Sequence, residues 1–208
     1  MISLKICGIT KPEDARYAAH LGYSAIGFIF YRESPRYVTP EIAHSIITDL
    51  PPFIAAVGVF VNESPAAVRN ICEHTKLSHV QLHGQETPDY CRSMPVRVIK
   101  AFGVDDHFNF HSLASYENAN VSAFLLDRHS PELIGGTGQA FDWSLVRHAK
   151  KYGRIILAGG ITPFNVEAAL KEAEPYGVDV NSGVEILPGE KNRVKMKDLI
   201  DKVRRCKI

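Results

Sequence analysis

The sequence predicts an α/β chain closed into a (β/α)8 barrel, the TIM-barrel architecture, as a single domain over residues 1–208. Three observations predict it: eight short runs rich in β-branched and aromatic residues, helical periodicity between them, and a hydroxyl-then-proline helix start that helps mark a βα repeat of roughly 25 residues. Alternating strands and helices imply parallel strands covered by helices. Eight units favour closure over an open sheet, and the first turn, "CGIT" (7–10), lacks the GxGxxG of a dinucleotide-binding sheet.

In chain order the strands are "SLKIC" (3–7), "AIGFIF" (25–30), "FIAAVGVFV" (53–61), "HVQL" (79–82), "RVIKAF" (97–102), "VSAFLLD" (121–127), "RIILAG" (154–159) and "GVDVNS" (177–182). The first helix is "PEDARYAAHLG", with Ala15, Ala18, Ala19 and Leu21 on one face and a capping box between Thr10 and Glu13. Thr39-Pro40, Ser64-Pro65, Thr87-Pro88 and Thr162-Pro163 each place a capping hydroxyl before a proline suited to the first helical position. In "PAAVRNICEHT" the apolar face is Ala67, Val68 and Ile71; in the closing helix, "NRVKMKDLIDKVRRC", it is Val194, Met196, Leu199, Ile200 and Val203.

The chain is 45% hydrophobic, enough for a large core, and its formal net charge is +1 with both signs interspersed. That balance leaves no electrostatic footprint for nucleic acid or an anionic membrane and points to a small neutral or anionic ligand. No apolar stretch approaches a membrane span, and no signal pattern precedes Lys5, so the expected location is the cytoplasm. Cys7, Cys72, Cys91 and Cys206 form no CxxC pair and read as reduced thiols. Neither heptads nor an apolar seam fixes an assembly, leaving monomer or homodimer open.

In this architecture chemistry sits at the C-terminal ends of the strands, and side chains two apart share a face. Lys5 with Cys7, Gln81 with His83, and Asp179 with Asn181 therefore aim at one interior, with Asp127 ending strand six. Polar groups gathered there are costly unless they form a wet, functional mouth. A cysteine at a strand end is usually a small core hydrophobe; Gly8 after it and Lys5 beside it, which favours a thiolate, make Cys7 a candidate base or nucleophile. Asp127 reads equally as a loop cap or a catalytic acid, and His83 as a hydrogen-bonded structural group before a ligand. No histidine pair has HExxH-type spacing, His107 and His111 read as solvated, and no metal is expected.

The turns "LAGGIT" (157–162) and "VNSGVE" (180–185) follow strands seven and eight, where barrels seat phosphates on backbone N–H groups. Gly159, Gly160, Ser182 and Gly183 are the candidate phosphate seat, against a reading as ordinary turns. Arg36 in "SPRYV" can clamp a carboxylate bidentately, although a lone loop arginine is usually solvated. "IGGTG" (134–138) lacks the Lys-Ser/Thr of a nucleotide loop and reads as a mobile cover over the substrate.

Taken together, "KICGIT", "SPRYV", "VGVFVN", "VQLHG", "GGTGQAFDW", "LAGGI" with "NV", and "SGVE" before "PGEK" resemble the phosphoribosylanthranilate isomerase family of tryptophan biosynthesis, from the first strand to the last helix. The resemblance implies an Amadori rearrangement of a phosphorylated small-molecule substrate without a cofactor. It implies Asp127 as the general acid, Cys7 as the base, Arg36 on the anthranilate carboxylate, and Gly159, Gly160, Ser182 and Gly183 on the phosphate. Asp179 would lie beside the phosphate seat, and His83 would face the substrate or support a residue that does. Two positions depart from the family pattern: Asn181 stands where serine is common, and Asn192 follows Lys191 where aspartate is expected. Ribulose-phosphate epimerases and thiamine phosphate synthases share such glycine turns, and a silent phosphate-binding module is the alternative outside enzymes.

Overall fold

The computed structural model describes residues 2–105, 107–128 and 143–206. Strands β1 (Ser3–Ile6), β2 (Ala25–Ile29), β3 (Ala55–Phe60), β4 (His79–Leu82), β5 (Arg97–Val104), β6 (Val121–Arg128), β7 (Ile155–Leu157) and β8 (Gly177–Val180) form a closed barrel in sequence order. Every ladder is parallel, and β8 pairs back onto β1, setting Lys5 opposite Asp179. Helices α1 (Pro12–Leu21), α2 (Pro40–Thr48), α3 (Pro65–Thr75), α4 (Pro88–Arg92), α5 (Val146–Ala149), α6 (Val166–Ala173) and α7 (Arg193–Arg205) lie between strands or after the last.

Strand alternation divides the core in two. Outward-facing side chains such as Ile6, Phe28, Phe60, Leu82, Phe124 and Leu126 pack with the helices, while Val57, Ile99, Ala101, Ala123, Leu125, Ile156 and Ala158 fill the barrel interior. Above that apolar plug the inward positions turn polar, at Lys5, Gln81, Asp127 and Asp179, all buried.

Thr39, Ser64 and Thr87 cap their helices, each side chain accepting from the backbone N–H three residues on. Thr10 does not: its hydroxyl donates to the Gly189 carbonyl at 2.6 Å, and α1 starts from Lys11 without a side-chain cap. Thr162 opens a turn instead of α6, because Asn165 Oδ1 accepts from the Thr162 N–H at 2.8 Å and the helix begins at Val166. Val194 is 77% exposed, since the first turn of α7 lies beyond the barrel wall that buries Met196, Leu199, Ile200 and Val203.

Among the described residues the helical layer thins after β5 and β6. Between β5 and β6 runs a 3-10 segment, Phe110–Tyr116, held by ring contacts of Phe102 with Phe108 and Tyr116 and of Phe108 with Phe110. Aromatic anchoring replaces the amphipathic stripe an α-helix would need. His111 belongs to that segment, its Nδ1 3.2 Å from the Tyr152 hydroxyl. The strand "GVDVNS" ends at Val180, and a short 3-10 turn, Ser182–Val184, leads into a hairpin of β9 (Glu185–Leu187) and β10 (Glu190–Lys191). All four cysteines are free, three of them buried.

Candidate active site

A pocket opens at the C-terminal end of the barrel, lined by Cys7, Arg36, Gln81, His83, Asp127, Gly159, Gly160, Asp179, Ser182 and Gly183 among others. Every candidate residue from the sequence therefore meets there. The "IGGTG" loop lies outside the described residues.

Cys7 is 4% exposed, just past the end of β1. Gly27 on β2 makes room for it: a Cβ there would stand 2.9 Å from the Cys7 sulfur and 3.0 Å from Lys5 Nζ. Lys5 Nζ donates to Asp179 Oδ2 at 2.8 Å inside the barrel. Burial works against the Lys5 charge, but Asp179 and Cys7 more than offset it, and the ammonium is held above its ordinary range. Burial also pushes the Cys7 thiol up, with Lys5 only partly opposing it. The thiolate that Lys5 alone would favour is thus not the resting form, because desolvation outweighs one neighbouring cation.

Asp127 is the next-to-last residue of β6, its Oδ1 accepting from the Arg128 N–H at 2.8 Å. Burial, reinforced by the negative charge of Asp179 and opposed by that hydrogen bond and by Lys5, raises its carboxyl to about 6. Opposite stands His83, Nε2 3.8 Å from Asp127 Oδ2 and Nδ1 3.2 Å from Gln81 Nε2. Burial, then the charges of Lys100 and Lys5, lowers His83 to about 4, so the imidazole is neutral at physiological pH.

Arg36 faces the pocket but already has a protein carboxylate. Its Nε and Nη2 donate to Glu185 at 2.9 and 2.7 Å, a bidentate clamp. Glu185 also accepts from Lys191 Nζ at 2.8 Å. Burial alone would raise the Glu185 carboxyl; Arg36 and Lys191 overcome it and hold it below the ordinary range. Two cations around one carboxylate leave this corner net positive and fix the guanidinium plane. Any ligand carboxylate must therefore use the face of Arg36 turned away from Glu185.

Gly159 and Gly160 carry φ of +79° and +70° after β7, and Ser182 and Gly183 open the 3-10 turn after β8. A Cβ at Gly183 would lie 1.9 Å from the Ile161 carbonyl oxygen, so only glycine lets the two turns close on one another. The result is a cradle of backbone groups at the start of a short extra helix, suited to an anion.

Sequence reasoning missed Glu185, Lys191, Gly27 and the pair Glu86–Lys100. Lys100 Nζ donates to Glu86 Oε2 at 3.0 Å and to the carbonyls of Leu82 and Gly84 at 3.1 and 2.8 Å, bracing the turn that carries His83. A glycine inside "AIGFIF" was the available signal for Gly27. The departures from the family pattern keep their bonds: Asn181 Oδ1 accepts from Lys191 Nζ at 3.0 Å, and Asn192 caps α7 by accepting from the N–H groups of Val194 and Lys195.

A family model described as N-(5'-phosphoribosyl)anthranilate (PRA) isomerase matches residues 4–202. An N-(5'-phosphoribosyl)anthranilate isomerase of Trichlorobacter lovleyi is 51% identical over 201 residues, covering 96% of this chain and 97% of its own. Among solved structures, the phosphoribosyl anthranilate isomerase of Thermotoga maritima aligns over 99% of this chain and 100% of its own, with 40% identity and a TM-score of 0.92. Another, in complex with reduced 1-(o-carboxyphenylamino)-1-deoxyribulose 5-phosphate, aligns over 99% of this chain and 100% of its own, with 38% identity and a TM-score of 0.88. Among the described residues no helix is long and apolar enough to cross a membrane.

Proposed function

The chain belongs to the phosphoribosylanthranilate isomerase family of tryptophan biosynthesis, and we propose that Asp127 and Cys7 carry its aldose-ketose rearrangement as acid and base. N-(5-phosphoribosyl)anthranilate is converted to 1-(2-carboxyphenylamino)-1-deoxyribulose 5-phosphate. Asp127 gives its proton to the ring oxygen, the C1–O bond breaks, and the nitrogen lone pair forms the C1=N iminium. The iminium acidifies C2, the Cys7 thiolate removes that proton, and the electron pair forms the enolamine. Reprotonation at C1 and loss of the C2 hydroxyl proton leave the ketone.

The observation that carries this reading is a carboxyl held protonated to about 6 in the same buried mouth as the thiol and the Lys5 ammonium. A general acid needs a carboxyl raised above its ordinary range and a base needs a cation to steady its thiolate once it forms; the mouth holds both. Ile29, Tyr31, Val59 and Val61 give one wall an apolar character beside Arg36, fitting an aryl ring with its carboxylate. Gly159, Gly160, Ser182 and Gly183 face the phosphate, with Asp179 and His83 between the two ends. Holding both ends orients the ribose between acid and base. The chain works as a single catalytic domain, a monomer or homodimer, in the cytoplasm.

The test is the decay of anthranilate fluorescence when freshly generated phosphoribosylanthranilate meets the wild type and Asp127→Asn. Decay with wild type and its loss in the variant support the reading. No decay with wild type overturns the activity, and equal decay in both overturns the acid assignment.

A further inference from the structure

Two buried acceptors in the mouth have no protein partner among the described residues: Gln81 Oε1 and Asp179 Oδ1. Gln81 is 2% exposed and Asp179 8%, and both line the pocket. Each is half engaged. The other arm of the Gln81 amide faces His83 Nδ1 at 3.2 Å, and the other oxygen of Asp179 accepts from Lys5 at 2.8 Å. Turning the Gln81 amide over leaves one arm on His83 and the other still without a partner among the described residues, an unpaired donor in place of an unpaired acceptor.

An unpaired buried acceptor is a persistent penalty in the free protein, retained where a ligand supplies the donor. Donors at this depth, between acid and base, are hydroxyls of the sugar chain. Resting on the isomerase reading above, we infer that Gln81 is a specificity-determining residue that, together with Asp179, accepts hydrogen bonds from the hydroxyls of the open-chain sugar. The same amide orients His83. With Gln81 Nε2 donating to Nδ1, the neutral imidazole carries its proton on Nε2, the nitrogen facing Asp127.

The substitution that separates function from scaffolding is Gln81→Met, similar in length and without polar atoms. The substitution removes the unpaired acceptor together with the bond to His83, opposing effects that should leave the thermal midpoint close to wild type. It should also weaken reduced 1-(o-carboxyphenylamino)-1-deoxyribulose 5-phosphate by ~10-fold or more while leaving inorganic phosphate affinity unchanged. Gln81→Glu, which keeps an acceptor, should recover most of the analogue affinity. The inference is overturned if Gln81→Met binds the analogue like wild type, or if it loses analogue and phosphate equally together with thermal stability. Failure of the wild type itself to bind the analogue would instead sink the isomerase reading on which this one rests.

Discussion

His83 Nε2 lies 3.8 Å from Asp127 Oδ2, a neutral imidazole facing a carboxyl that burial raises to about 6. With Cys7 held above the ordinary thiol range, the proposed acid and base rest in the opposite protonation states from those the chemistry needs over most of the neutral range. The active form, acid protonated and thiol ionised, is then a minority species.

The expected pH profile of kcat/KM follows from that inversion. It is bell-shaped, its acid limb near 6 belonging to Asp127 and its alkaline limb, above the ordinary thiol range, to Cys7. The limb assignments are checked with Cys7→Ser, which should remove the alkaline limb at residual activity and leave the acid one. A profile in which that variant loses the acid limb would reverse them.

Asp127→Asn should trade activity for stability. A carboxyl raised from 3.8 to about 6 makes the folded state hold its proton where the unfolded state has released it, so stability falls as pH rises between those values and stays low above them. The variant, lacking that group, should be more stable than wild type at pH 7 by up to ~3 kcal/mol and by less at pH 4. Its kcat should fall by ~100-fold or more. Denaturant unfolding at the two pH values checks the first part.

Arg36→Ala should raise KM by ~10-fold or more with a smaller change in kcat, since it removes binding at a distance from the reacting carbons. Glu185→Gln should act in the same direction and more weakly, because the guanidinium loses the bidentate clamp that fixes its plane. Unchanged KM in Arg36→Ala would take it off the substrate carboxylate.

At the other end, Gly183→Ala must separate the two glycine turns, given the 1.9 Å approach to the Ile161 carbonyl oxygen. Competitive inhibition by inorganic phosphate should weaken in step with KM. Inhibition equal to wild type would mean that the cradle does not hold the phosphate.

The barrel was legible because its signals are local and repeated: eight apolar runs, three hydroxyl caps that hold, and strand alternation that sends Lys5, Cys7, Gln81, His83 and Asp127 to one interior. What escaped depended on partners distant in sequence. Thr10 has a capping box in sequence, but Gly189, brought in by the last hairpin, takes its hydroxyl. Arg36 reads as a solvated or ligand-facing loop residue until Glu185 arrives 149 positions later. Lys5 beside Cys7 suggests a thiolate in sequence; the burial that reverses it is a property of the closed barrel.

The most direct measurement is single-turnover conversion of phosphoribosylanthranilate by Cys7→Ala, paired with its affinity for the reduced product analogue. Removal of the C2 proton by Cys7 predicts analogue affinity close to wild type and a rate reduced by ~1000-fold or more. A rate near that of wild type with the analogue still bound would contradict the assignment of Cys7 as the base.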